Sequence, residues 1–144
     1  MSDPLEAALV EGFVDVVIAN LRCATGLDAE RCASGPVRGI AVSLDFRGDI
    51  HGPMTWVFPE EVALQLVRRM LAIADPAPEL ATAGATELAN ILTGRAITVL
   101  EKRGFHCELG VPRLHVGELP SGVNVRMATA DGPIDLVLGL ASTA

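Results

Sequence analysis

The chain has 144 residues, half of them hydrophobic and only 3% aromatic, so it is long enough to bury one core and too apolar for a disordered tail. Its 18 acidic and 11 basic residues give a net charge of -7, which argues against nucleic acid as a partner because the phosphate backbone would be repelled. No apolar run approaches the roughly 20 residues that a membrane-spanning helix needs, and the acidic N-terminal segment lacks a signal peptide's basic start. We therefore expect a cytoplasmic protein without a membrane partner.

A helix opens the chain. Asp3 can cap it and Pro4 suits the first helical position, and apolar residues then recur at helical spacing as far as Gly26. Residues 27–36 show no periodic pattern and predict a loop.

A hairpin follows. The residues of Val37–Phe46 alternate and are rich in β-branched side chains, and the alternation continues through Ile50–Phe58. Between these segments, residues 47–49 (Arg-Gly-Asp) supply a tight turn. The pattern therefore predicts two antiparallel strands.

Two more helices come next. The second begins after Pro59, has an acidic first turn, and carries its apolar residues at helical spacing: Val62, Leu66, Val67, Met70 and Leu71. After a linker at residues 75–78, a third and longer helix is predicted for Glu79–Arg103, with Gly104 as its stop.

The last third of the chain is predicted to be extended. Cys107–Val116 is expected to form one strand, residues 118–122 a loop, residues 123–127 a second strand, and Ile134–Leu140 the last strand after an Asp-Gly turn. The order α-β-β-α-α-β-β-β predicts an α+β fold in which helices cover a mostly antiparallel sheet, in one domain over residues 1–144. The last strand is so apolar that it would need covering if it were an edge.

Metal and disulfide chemistry are not indicated. The three cysteines lack metal-ligand spacing, and we expect reduced, mostly buried thiols. The three histidines lie on or beside predicted strands, where a surface role is the simpler interpretation. The sequence therefore predicts no metal site in this chain.

The third helix carries the functional pattern. At 100° per residue, one face holds apolar residues and is expected to pack on the sheet: Ala85, Leu88, Ala89, Leu92, Ala96, Val99 and Leu100. Glu87 and Asn90 lie on the opposite face, three residues apart, so their side chains are neighbours.

The residues around this pair are small or unusual for a helix. Ala83 lies one turn before Glu87, and Gly94 lies one turn after Asn90 although glycine destabilises a helix interior by about 1 kcal/mol relative to alanine. Thr98 continues the same face. Small neighbours let another surface approach the acid and the amide, so we interpret Ala83, Gly94 and Thr98 as partner-docking positions.

The ten residues from Glu87 to Ala96, ELANILTGRA, resemble the signature helix of the CheX family and its relatives CheC and FliY, which are phosphatases of the phosphorylated response regulator CheY. The family motif is Glu-x-x-Asn followed shortly by Gly, and this chain carries it once, as CheX does. The resemblance extends over nearly the whole chain, because the leading helix, the hairpin and the helix after Pro59 follow in the same order.

The resemblance implies hydrolysis of the aspartyl phosphate of a CheY-type response regulator. In that role Asn90 orients the attacking water and Glu87 anchors the regulator. Mg²⁺ is expected on the regulator, with no cofactor bound by this chain. The resemblance also implies a homodimer that shares a sheet.

Two other functions fit the same resemblance. The chain would then be a module that binds and sequesters a regulator without hydrolysing its phosphate, or a structural adaptor in a motility assembly. The presence of both Glu87 and Asn90 favours the phosphatase.

Overall fold

The computed structural model describes residues 4–33, 38–115, 119 and 122–142, with the backbone alone described for residues 4–10 and 142. Within these residues the elements are α1 (Pro4–Thr25), β1 (Ala29–Cys32), β2 (Ile40–Gly48), β3 (Ile50–Phe58), α2 (Glu60–Leu71), α3 (Leu80–Lys102), β4 (Cys107–Leu109), β5 (Arg113–Leu114), β6 (Val123–Thr129), β7 (Gly132–Leu138) and β8 (Ala141–Ser142).

The strands form an antiparallel sheet in the order β1-β6-β7-β3-β2-β4. The short strand β5 also pairs with β2, and β8 pairs with the start of β3. The predicted α+β class and the succession of helices and strands are confirmed, with short additional strands.

The core lies between the sheet and the helices. Trp56 of β3 stands in register with Val42 on one side and Leu136 on the other, and all three are completely buried. Trp56 stacks on Phe58, two residues along the same strand, with ring centroids 5.8 Å apart. The apolar side chains at every second position of β3 thus form the surface on which the helices rest.

Two predictions about the strands are wrong in detail. The predicted loop at residues 27–36 contains β1, which pairs with β6. The predicted single strand Cys107–Val116 is two strands, β4 and β5, which pair with different parts of β2. Gly110 and Pro112 lie at the interruption, where proline has no N–H to donate to a ladder.

The apolar last strand is not an edge. β7 lies between β6 and β3, so it is paired on both sides and needs no further cover. Its apolar composition therefore reflects a central position in the sheet.

Other expectations meet mixed outcomes. Of the three thiols, Cys107 is buried, whereas Cys23 and Cys32 are exposed, so the expectation of mostly buried cysteines is wrong. Among the described residues, no helix is both long enough and apolar enough to cross a membrane. The Asp3 cap, the predicted strand start at Val37 and most of the predicted loop at 118–122 lie outside the described residues.

Candidate functional site

Helix α3 is the element that presents the predicted site. It spans Leu80–Lys102, within one residue at each end of the sequence prediction. The chain leaves the helix at Gly104, whose φ of 95° is accessible to glycine, and the Phe105 N–H donates to the Leu100 carbonyl at 3.1 Å. The long helix is therefore closed by a backbone cap that the glycine permits.

The inner face of α3 is made of small and branched apolar residues. These residues are at most 1% exposed: Ala85, Leu88, Ala89, Leu92 and Ala96. Three alanines among them let the helix backbone approach the neighbouring elements closely, and Leu88 and Leu92 fill the space toward the sheet. Val99, which was predicted on the same face, is only half-buried.

One buried hydrogen bond fixes the rotation of α3 about its axis. The Trp56 Nε1–H donates to Thr93 Oγ1 at 3.0 Å, and the Thr93 hydroxyl donates to the Ala89 carbonyl at 2.6 Å. Trp56 and Thr93 are both 0% exposed, so neither could exchange this bond for water. A turn of the helix in either direction would break the bond, which makes Thr93 a positioning residue for the outer face.

Sequence reasoning did not identify Thr93. The usable signal was Trp56, the single tryptophan of the chain, on a strand predicted to be covered by helices. A buried indole N–H needs an acceptor, and an acceptor had to come from the covering helix.

Glu87 and Asn90 lie on the opposite, exposed side of α3. Their spacing of three places the Cβ atoms about 5–6 Å apart. Among the described residues, neither side chain has a hydrogen-bond or ion-pair partner. The carboxylate and the carboxamide are therefore both available to a molecule that approaches from solvent.

The three predicted docking positions share this side of the helix. Ala83 and Thr98 are exposed, and Gly94 is half-buried. A Cβ built on Gly94 would meet nothing within 4 Å, so no contact within the described chain requires glycine there. The Thr98 hydroxyl donates to the Gly94 carbonyl at 3.2 Å.

The arrangement suits recognition and the positioning of water. A carboxamide donates and accepts hydrogen bonds at once, and a carboxylate accepts from a cation. Among the described residues, no group of three or more His, Cys, Asp or Glu side chains is arranged to hold a metal ion.

Comparison with known proteins places this chain in a family. The family model for chemotaxis phosphatase CheX matches residues 40–127, which include β2, β3, α2 and α3. No match is found among curated proteins.

Solved structures share the fold. A CheX chemotaxis protein from Vibrio vulnificus is 19% identical, with 92% of this chain and 95% of that chain covered and a TM-score of 0.76. CheX from Desulfovibrio desulfuricans is 15% identical, with 94% and 99% covered and a TM-score of 0.73. The CheX–CheY–BeF₃–Mg²⁺ complex from Borrelia burgdorferi contributes a chain that is 16% identical, with 92% and 97% covered and a TM-score of 0.71.

The solved structures agree with this chain in fold, and the family match extends over more than half of its length. The chain therefore belongs to the chemotaxis phosphatase CheX family.

Proposed function

We propose that this chain hydrolyses the aspartyl phosphate of a CheY-type response regulator. The observation that carries the proposal is the pair Glu87 and Asn90, exposed and one helical turn apart on a helix whose opposite face is held to the sheet by the Thr93–Trp56 bond. The family to which the chain belongs and the CheX–CheY complex from Borrelia burgdorferi support the choice of partner.

Asn90 is the catalytic residue of the proposal. An aspartyl phosphate is an acyl phosphate and already labile, so the slow requirement is a water held in line with the bond that breaks. The Asn90 carboxamide accepts a hydrogen bond from this water and donates one to the phosphoryl group. The water oxygen forms the new bond to phosphorus, the bond to the aspartate oxygen breaks to release the carboxylate, and both protons of the water leave on the phosphate as H₂PO₄⁻.

Glu87 anchors the regulator. Its carboxylate pairs with a lysine beside the phosphoryl group, and the charge-assisted bond fixes the register of α3 across the regulator's site. Mg²⁺ is supplied by the regulator, where it neutralises phosphoryl charge. This chain contributes the side chain that positions the attacking water and the side chain that makes the docking contact.

The test is a turnover assay with substoichiometric protein. Receiver domains of response regulators from the same organism are phosphorylated with acetyl phosphate. Release of inorganic phosphate is then followed with this chain at one-tenth of the regulator concentration. We expect Asn90→Ala to lower kcat roughly 100-fold, because the water is no longer held in line. We expect Glu87→Ala to raise KM about ten-fold through the loss of a charged hydrogen bond.

Two matched controls remove the same groups elsewhere. Asn20→Ala deletes a helical asparagine of α1 whose amide donates to the Val16 carbonyl at 2.9 Å, and Glu61→Ala deletes an exposed glutamate of α2. Both variants should hydrolyse at the wild-type rate. Full activity in Asn90→Ala would reject the role assigned to it, and stoichiometric binding of the phosphorylated regulator without faster phosphate release would identify sequestration instead of catalysis.

A further inference from the structure

An apolar groove borders the pair of polar residues. It lies between the end of α2 and the beginning of α3 and has a volume of about 270 Å³. Its lining comprises Val67, Met70, Leu71, Leu80, Ala83, Gly84 and Glu87. Pockets for small metabolites are usually about 300–1,000 Å³, so this groove suits one or two side chains of another protein.

The groove exposes a side chain that the sequence pattern places inside. Leu71 ends the apolar stripe of α2, yet it is 61% exposed. Leucine is among the residue types most often buried, and this one contributes its side chain to the wall of an apolar groove. Here α3 contacts Val67 at Gly84 but leaves Leu71 mostly exposed, and two of the α3 residues that line the groove, Ala83 and Gly84, are small.

The walls of the groove are held in place. At Gly84, a Cβ would overlap Cγ2 of Val67, so the two helices are in close contact below the groove. At the end of α2, Arg69 Nε donates to Asp131 Oδ2 at 2.6 Å, and this ion pair ties the helix to the turn between β6 and β7. A preformed groove loses little conformational entropy when it is filled.

The groove is continuous with the proposed docking face. Ala83 and Glu87 belong to both. At about 1.5 Å per residue, Leu80 lies about 15 Å along the helix from Asn90. A standard interface buries about 800 Å² per partner, which corresponds to a patch about 16 Å in radius. A partner centred on Asn90 therefore extends over the groove.

We propose that this groove receives an apolar side chain from the receiver domain of the regulator. The inference rests on the proposed function and adds a second contact to it. Glu87 and Asn90 recognise the phosphorylated site, whereas the groove recognises a neighbouring apolar side chain and so contributes affinity without chemistry. The groove then selects among regulators whose phosphorylation sites are alike.

The test separates affinity from turnover. Leu71→Ser is expected to raise KM for the phosphorylated receiver domain about ten-fold, as expected for loss of a buried aliphatic anchor, and to leave kcat within two-fold. The midpoint of unfolding should not change, because Leu71 is mostly exposed. The matched control is Leu114→Ser on β5, where leucine is 52% exposed and lies outside the groove, and its KM should equal that of the wild type.

Equal KM values for the two serine variants and the wild type would overturn the proposal. So would an altered oligomeric state of Leu71→Ser in sedimentation at unchanged KM, since the occupant would then be a second copy of the chain. If the wild type releases no phosphate catalytically, the proposed chemistry fails. Binding of the receiver domain activated by beryllofluoride and Mg²⁺ then tests the groove. At least ten-fold weaker binding by Leu71→Ser than by the wild type upholds it, whereas equal binding by the two proteins, or no binding by the wild type, rejects it.

Discussion

Helix α3 carries two glycines, and their surroundings are opposite. Gly84 faces α2, and a Cβ there would overlap Cγ2 of Val67. Gly94 faces outward, and a Cβ there would meet nothing within 4 Å. Both destabilise the helix by about 1 kcal/mol relative to alanine, but only Gly84 is compensated by a contact within the described chain.

The polar residues of α3 show the same division. Thr93 points inward, where its hydroxyl accepts from Trp56 and donates to Ala89. Asn90, one turn earlier, points outward and has no such bond among the described residues. The residues on the inner face of the helix make contacts that stabilise the fold. On the outer face, Asn90 and Gly94 are residue types that disfavour a helix, and no contact within the described chain compensates for them. Such choices are the physical indication of a partner.

The largest stability effect is expected at the buried hydroxyl. Thr93→Val keeps the shape of the side chain but leaves the buried Trp56 N–H without an acceptor, so the free energy of unfolding should fall by about 2 kcal/mol. Urea unfolding followed by Trp56 fluorescence measures the change. Thr93→Ser is the control: it retains the acceptor and loses one methyl group, which corresponds to about 1 kcal/mol. A valine variant as stable as the wild type would show that the bond does not hold the helix.

A smaller loss is expected at the inner glycine. Gly84→Ala forces the new methyl group into Val67, at about 1–3 kcal/mol for overpacking, while the helix gains about 1 kcal/mol from alanine. We expect a net loss of about 1 kcal/mol in the urea experiment. The double variant Gly84→Ala with Val67→Ala provides the control, because removal of the valine should make the alanine at 84 favourable. If the double variant instead loses the sum of the two single-variant losses, then the methyl group at position 84 does not clash with Val67, which would mean that α2 and α3 move apart to accommodate it.

The outer face of α3 was accessible to sequence analysis because its information is local. A period of 3.6 residues places Glu87 and Asn90 opposite Leu88 and Leu92, and no distant residue needs to be known. Both ends of the helix were predicted within one residue for the same reason, since the linker at residues 75–78 and the glycine at position 104 are local signals.

Features that depend on contacts between residues far apart in the chain could not be predicted from the sequence. β1 contains Glu30, Arg31 and Cys32, all exposed, so it has no alternation of apolar and polar residues and forms because β6 offers it a free edge. Leu71 was predicted on the apolar stripe of α2, but its burial depends on how far α3 extends over it. The groove results from the size of residues on two helices, which no pattern within one helix contains.

The smallest effect on stability is expected at Gly94, the outward-facing glycine of α3. Gly94→Ala should stabilise the chain by about 0.5–1 kcal/mol, because a helix-interior position gains from alanine and nothing within the described chain opposes the methyl group. The same methyl group stands one turn from Asn90 on the docking face and should hold the regulator away from it. We therefore expect a higher urea midpoint together with a KM for the phosphorylated regulator that rises several-fold.

In this variant the stability of the chain must rise while its affinity for the regulator falls, so the urea midpoint and KM both increase. A loss of stability would mean that the fold itself requires glycine at position 94, and the contrast with Gly84 would disappear. A gain in stability at unchanged KM would show that the regulator approaches Asn90 from another direction. Higher stability combined with weaker docking is the result that only a glycine retained for a partner produces, because a glycine retained for folding or by chance does not link the two quantities.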